Sequence, residues 1–199
     1  MNLGLGILIF DDLEELDAVG PYEVFAAAAG MRAGFLDVFL VGETTQPVRC
    51  VNGMRILPHY SFVTAPKIDV LVIPGGVGTR ALVGRSQVLS WVSKTAASAK
   101  WVASICSGAR LTLATGIAAG RRITTHWSVI EELRADGRAA EVLDNVRFVR
   151  DGKLVSAAGV SAGIDMALWL TGQLADPAFA REVQKYIEYF PAPPYTHET

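Results

Sequence analysis

The stretch Trp101-Val-Ala-Ser-Ile-Cys-Ser-Gly-Ala-Arg110 decides the fold. It opens as a short apolar run and breaks at small residues, the pattern of a buried strand meeting a turn. Lys100 to Ile105 reads as the strand, and Ser107 to Thr115, stopped by Gly116, as a helix. Cys106 stands on the turn between them. This is the nucleophile-elbow layout of hydrolases, with Cys in place of Ser. A tight turn at the carboxyl end of a strand pushes the side chain into the crevice above the sheet. The field at the start of the following helix is expected to lower the thiol pKa. Free amides there can hold an oxyanion. Free cysteine is also among the most buried residue types, so position alone leaves a structural Cys106 open. Cys50 has no such setting and reads as structural.

Outward from this stretch, strands and helices alternate. Leu3 to Phe10, Phe35 to Val41 and Ile68 to Ile73 read as buried strands, the last running into Pro74-Gly75-Gly76. Glu15 to Ala29 reads as a helix, with Gly20-Pro21 placed early in it, where proline fits the first turn. Gln87 to Ala99, Ser128 to Ala135, Ser161 to Leu174 and Pro177 to Tyr189 read as further helices. Val48 to Leu57 is a hairpin around Asn52-Gly53. Val146 to Arg150 and Lys153 to Ala157 form a second hairpin over Asp151-Gly152, and Arg122 to Thr124 is a short strand. The proline-rich tail, Pro191 to Thr199, is expected to pack irregularly. The alternation predicts a flavodoxin-like α/β fold, a doubly wound and mostly parallel sheet with helices on both faces. With no repeat, low-complexity tract or linker, residues 1–199 read as one domain.

Composition narrows the function. Of 199 residues, 51% are hydrophobic and 19% charged, which suits a sheet buried on both faces and hints at an oligomer interface. A net charge of -2 offers no basic field for nucleic acid or an anionic membrane. No run reaches the roughly 18–20 apolar residues of a membrane span. The N-terminus lacks a basic n-region and ends at Asp11-Asp12, so it reads as a strand rather than a signal peptide, and a cytoplasmic location is expected. Two cysteines in such a chain are expected as free thiols.

The remaining candidates sit at strand ends. Gly75 and Gly76 end a buried strand, where glycine lets backbone approach a ligand and present amides. Among Asp11, Asp12, Glu14, Glu15 and Asp17, Asp17 stands at the strand-to-helix turn. A carboxyl group near a thiolate has a raised pKa and becomes a proton donor. Capping or solvation is expected for the other acids. His126, in Thr124-Thr-His-Trp127, is a candidate base beside Cys106, although a lone histidine near a strand end is more often structural. His59 and His197 have no motif around them, and no metal-ligand spacing is present. The phosphate loop and the dinucleotide fingerprint are absent, so no cofactor is expected.

These residues are similar to the ThiJ/PfpI superfamily, which shares a fold with class I glutamine amidotransferases, and within it to the isonitrile hydratases. The resemblance covers essentially the whole chain. It rests on Leu16-Asp17-Ala-Val-Gly-Pro-Tyr-Glu-Val-Phe25, Ile73-Pro-Gly-Gly76, Ser104-Ile-Cys-Ser-Gly108, Thr124-Thr-His-Trp127, Gly163-Ile-Asp165 and Glu188-Tyr-Phe-Pro-Ala-Pro-Pro194. It implies Cys106 as nucleophile and Asp17 as its carboxyl partner, where many relatives carry Glu. It implies backbone amides from Gly76 and Ser107. Isonitrile hydratases usually place threonine after the cysteine; Ser107 keeps the hydroxyl. Peptidase-like relatives place histidine there, so their triad is missing. The implied reaction adds water to an isonitrile through a Cys106 thioimidate, with a small-molecule substrate and a homodimeric protein. Three other readings compete: a glyoxalase or deglycase needing His126 as base, a redox sensor oxidised at Cys106 to a sulfinate, and the ligand-sensing domain of a transcription regulator. The last is expected least, because the chain stops at Thr199 without a helix-turn-helix region.

Overall fold

In the computed structural model, which describes residues 2–192, the apolar runs form the middle of a seven-stranded sheet. In chain order the strands are β1 (Leu3–Leu8), β2 (Leu36–Gly42), β3 (Val48–Arg49), β4 (Arg55–Ile56), β5 (Tyr60–Ser61), β6 (Val70–Ile73), β7 (Trp101–Ile105), β8 (Arg122–Thr124), β9 (Glu141–Leu143), β10 (Phe148–Asp151) and β11 (Leu154–Ala157). The helices are α1 (Glu15–Met31), α2 (Thr79–Leu82), α3 (Ser86–Ser98), α4 (Ala109–Ala114), α5 (Ile130–Asp136), α6 (Ala162–Leu174) and α7 (Pro177–Tyr186). The sheet runs β10-β11-β7-β6-β1-β2-β5. Every neighbouring pair is parallel except the β10–β11 hairpin. This is the expected doubly wound, flavodoxin-like α/β class.

Burial explains why the runs were continuous. Leu5, Ile7, Val70 to Ile73, Val102, Ala103 and Ile105 are inaccessible to solvent, since helices cover both faces of the sheet. Helices α1, α6 and α7 pack on one another, and α3 packs with α4. Strand β2 lies on one side of β1 and β6 on the other. The strand order reverses there, and a crevice opens beyond the carboxyl ends of the strands, the usual ligand position in this class.

The hairpins around Asn52-Gly53 and Asp151-Gly152 form as expected. Two expectations need correction. Pro21 is the seventh residue of α1, inside the helix rather than in its first turn. It is accommodated because α1 crosses α6 closely: a Cβ on Gly20 would meet Ile164 Cγ1 at 2.9 Å, and a Cβ on Gly163 would meet Pro21 Cγ at 3.4 Å. The helix after Cys106 begins with one turn of 3-10 helix, Cys106–Gly108, before α4. The two-residue edge strand β5, the short helix α2 and strand β9, which pairs with β8, carry too few residues for a periodic signal. His197 and the tail beyond Ala192 lie outside the described residues.

Candidate active site

Four neighbouring strands, β11, β7, β6 and β1, deliver the site from four distant parts of the chain. Cys106 follows β7 and has a φ of +55°, a region costly for any side chain and held only by its surroundings. Thr125 Oγ1 donates to the Cys106 carbonyl at 2.7 Å. Gly75, after β6, presses on the turn: a Cβ there would lie 2.5 Å from Ser107 N and 2.8 Å from Cys106 Cβ. Gly159, after β11, has a φ of +138°, and a Cβ on it would lie 3.1 Å from Cys106 Sγ. Both positions admit only glycine, and together they bury the sulfur, leaving Cys106 8% exposed.

Asp17, in the first turn of α1, is inaccessible to solvent. Its Oδ2 accepts from the Gly75 N–H at 2.9 Å and its Oδ1 from the Val160 N–H at 2.8 Å. The Cys106 thiol stands beside the carboxyl group and favours its ionised form. Burial raises its pKa from 3.8 to about 6 despite these donors, and the Glu14 charge adds to the rise. Val160 is itself held at a φ of +47°, strained for a β-branched residue. The close α1–α6 crossing brings the starts of both helices, and so Asp17 and Val160, together.

The thiol departs from expectation. Burial, and then the Asp17 charge, push Cys106 up to about 12. The field of a short 3-10 turn and a six-residue α4 does not offset that burial. At neutral pH the pair is therefore a protonated thiol beside a largely ionised carboxylate. The Ser107 N–H and hydroxyl lie near the sulfur and favour its anion.

The glycine amides are engaged within the protein. Gly75 N–H is bound to Asp17, and Gly76 N–H donates to Ser107 Oγ at 2.9 Å. The Gly76 carbonyl accepts from Thr79 Oγ1 at 2.8 Å and from Ser107 Oγ at 3.0 Å. Arg110 Nη1 donates to Thr79 Oγ1 at 3.1 Å, and its Nε and Nη2 hold both Glu132 oxygens. Of the amides expected to face a ligand, only that of Ser107 is turned to the sulfur.

His126 makes no hydrogen bond to Cys106 or Asp17. Its Nδ1 lies 2.8 Å from Ser128 Oγ, and burial lowers its pKa, keeping it neutral at pH 7. It lines a recess of about 200 Å³ with Cys106, Ser107, Val51 and Glu14. Asp11 accepts from the Arg49 N–H at 2.8 Å, and Glu15 accepts from the Asn52 N–H and Nδ2 at 2.9 Å each. These acids tie the β3–β4 hairpin over the site rather than capping a helix. Among the described residues no cluster of three or more His, Cys, Asp or Glu suits a metal, and no helix is long and apolar enough to cross a membrane.

Sequence reasoning missed Gly159, Val160, Thr125, Thr79 and Arg110. A glycine just past the last strand was a readable signal for Gly159. The others enter through tertiary pairing and carry no local mark.

Comparisons with known proteins agree with this fold. The sequence profile of the DJ-1/PfpI family matches residues 5–173. The chain is 38% identical to the isonitrile hydratase of Pseudomonas putida over 195 residues, covering 98% of this chain and 82% of that protein. It is 28% identical to a glutathione-independent glyoxalase of Caenorhabditis elegans, covering 84% and 86% of the two chains. The crystal structure of a ThiJ/PfpI family protein from Pseudomonas syringae superposes with a TM-score of 0.89 at 30% identity, covering 100% of this chain and 80% of that one.

Proposed function

This chain belongs to the DJ-1/PfpI family, and we propose that within it the protein is an isonitrile hydratase, converting an isonitrile and water to an N-substituted formamide. One observation carries the reading. A buried carboxyl group, raised to about 6, stands beside a thiol too weakly acidic to ionise alone. Such a pair moves one proton back and forth while sulfur makes and breaks a bond.

The terminal carbon of R–N≡C accepts a nucleophile and then needs a proton at the same carbon. Asp17 takes the S–H proton as Cys106 Sγ attacks that carbon. It then gives the proton to the carbon, leaving the thioimidate R–N=CH–S–Cys106. Water adds to the thioimidate carbon, with Asp17 taking one of its protons and passing that proton to the nitrogen. The tetrahedral adduct R–NH–CH(OH)–S–Cys106 expels the sulfur, which recovers its proton, and R–NH–CHO leaves. The Ser107 N–H and hydroxyl stabilise the sulfur as anion at attack and at departure. A glyoxalase must also shift a proton between two carbons, and His126 is the base the sequence offers for that step. His126 is neutral, but it has no hydrogen bond to Cys106 or Asp17, so hydration is favoured.

The test is turnover of para-nitrophenyl isocyanide, with methylglyoxal assayed in parallel. Formamide production by the wild type, lost in Cys106→Ala, supports the proposal. Lactate from methylglyoxal without any formamide sinks it.

A further inference from the structure

A second, larger cavity adjoins the recess at Cys106. The recess holds about 200 Å³ and the outer cavity about 870 Å³, within the usual range for a small-molecule site. They share two walls, His126 and Val160. Gly159, packed against Cys106 Sγ, also lines the outer one. A linear isonitrile group and a few carbons fit the recess. Any larger substituent on the nitrogen must extend past His126 and Val160 into the outer cavity.

The chemistry of that cavity is mostly neutral at its points of contact. Its carboxylates, Glu131 and Asp144, are both bound to Arg134, at 2.7 and 3.2 Å. Its cation, Arg147, is held by Asp165 at 2.6 Å and by Ser161 at 3.2 Å. These two arginines and three carboxylates leave a net charge of -1 and no unengaged cation for an anionic substituent. At the rim stands Trp127, 79% exposed, a large aromatic face with His126 as its ring neighbour, 5.4 Å away. A tryptophan so uncovered beside a cavity that adjoins the recess of the nucleophile is an unused stacking surface.

We propose that the outer cavity is the substituent subsite and that it selects neutral aryl isonitriles, with Trp127 stacking on the ring. The inference rests on the hydratase reading. It names the substrate class that reading leaves open.

The experiment compares kcat/KM for methyl isonitrile, 2-naphthyl isonitrile and 4-isocyanobenzoate in wild type, Trp127→Ala and Trp127→Phe. The wild type is expected to prefer the naphthyl compound to the other two. Trp127→Ala is expected to lower the naphthyl-to-methyl ratio about tenfold, through KM, and Trp127→Phe to restore most of it. A ratio unchanged within twofold, or a preference for the benzoate, overturns the subsite. Binding of 2-naphthyl isonitrile to the Cys106→Ser protein, measured by calorimetry, separates the two ideas. Turnover that ignores Trp127 removes the subsite and leaves the hydratase. Binding that depends on Trp127 without wild-type turnover removes the hydratase and leaves the aryl site. Neither turnover nor binding removes both.

Discussion

The chain has two buried cysteines whose thiols titrate alike and whose settings differ. Burial pushes Cys50 up to about 11 and Cys106 up to about 12, with acidic neighbours adding to both. For Cys50 the neighbours are Glu15, Glu14 and Asp11, which act only through their charge. For Cys106 the neighbour is Asp17, which stands beside the sulfur as well as acting through its charge. Cys50 sits in the β3–β4 hairpin with no solvent access, its N–H donating to the Met54 carbonyl at 2.8 Å. Cys106 sits on a positive-φ elbow facing a recess. Burial and titration therefore do not mark the nucleophile here. A proton acceptor within bonding reach and open space beside the sulfur do.

The sharpest way to break this contrast is to remove each thiol in turn. Cys106→Ala is expected to lower kcat/KM for para-nitrophenyl isocyanide by at least about 1,000-fold. Cys50→Ala is expected to stay within about threefold of wild type, at about 1 kcal/mol of stability. Equal losses at the two positions would erase the distinction. Next in size is Asp17→Asn, which leaves Cys106 as isolated from a proton acceptor as Cys50. Its kcat should fall by about 100-fold or more. The wild-type kcat/KM should rise with pH through about 6, because only the ionised Asp17 accepts the thiol proton. That limb should vanish in Asp17→Asn, and its survival would assign the titration elsewhere.

The same carboxyl group should be visible in stability. Its folded pKa, about 6, lies above its ordinary 3.8, so the folded state binds the extra proton. The stabilisation is full below about 3.8 and is lost as pH rises through about 6. Wild type should lose up to about 3 kcal/mol relative to Asp17→Asn across that window. Urea denaturation of both proteins at pH 4 and pH 7 measures the change, and a constant difference would show that Asp17 is not strained by burial.

The contrast between the cysteines was partly legible in the sequence. Buried parallel strands read as unbroken apolar runs, so β1, β6 and β7 and the elbow after β7 could be read without tertiary information. Asp17 stood out as the one acid on a strand-to-helix turn. What surrounds it could not be read, because Gly75 and Val160 lie 58 and 143 residues away and meet it only through the sheet order. The thiol pKa was misread for a related reason. A helix start is visible in sequence, whereas the glycines and carboxylate that bury the sulfur come from other strands. Short β5 and β9 left no periodicity, and Pro21 was misplaced because its tolerance depends on packing against α6.

The smallest expected effect probes how Ser107 is aimed, a refinement that Cys50 lacks. Ser107 has one hydroxyl proton and two calls on it, the Gly76 carbonyl at 3.0 Å and the Cys106 sulfur. Thr79 Oγ1 lies closer to that carbonyl, at 2.8 Å, and can satisfy it alone. Arg110 Nη1 occupies a lone pair of the same threonine, turning its proton away from the guanidinium and toward the carbonyl or Ser107. With Thr79 on the carbonyl, the Ser107 proton is free for the sulfur. Thr79→Val keeps the shape but leaves the carbonyl only the longer Thr79 N–H bond, at 3.2 Å, beside Ser107, drawing the Ser107 proton off the sulfur. The expected loss is about three- to tenfold in kcat with little change in KM, the worth of one hydrogen bond to a developing charge. Thr79→Ser should restore it. Ser107→Ala should show a loss of the same size, and combining it with Thr79→Val should add little, because the threonine acts through the serine. Additive losses would mean that Thr79 serves the fold near Arg110 and not the thiol.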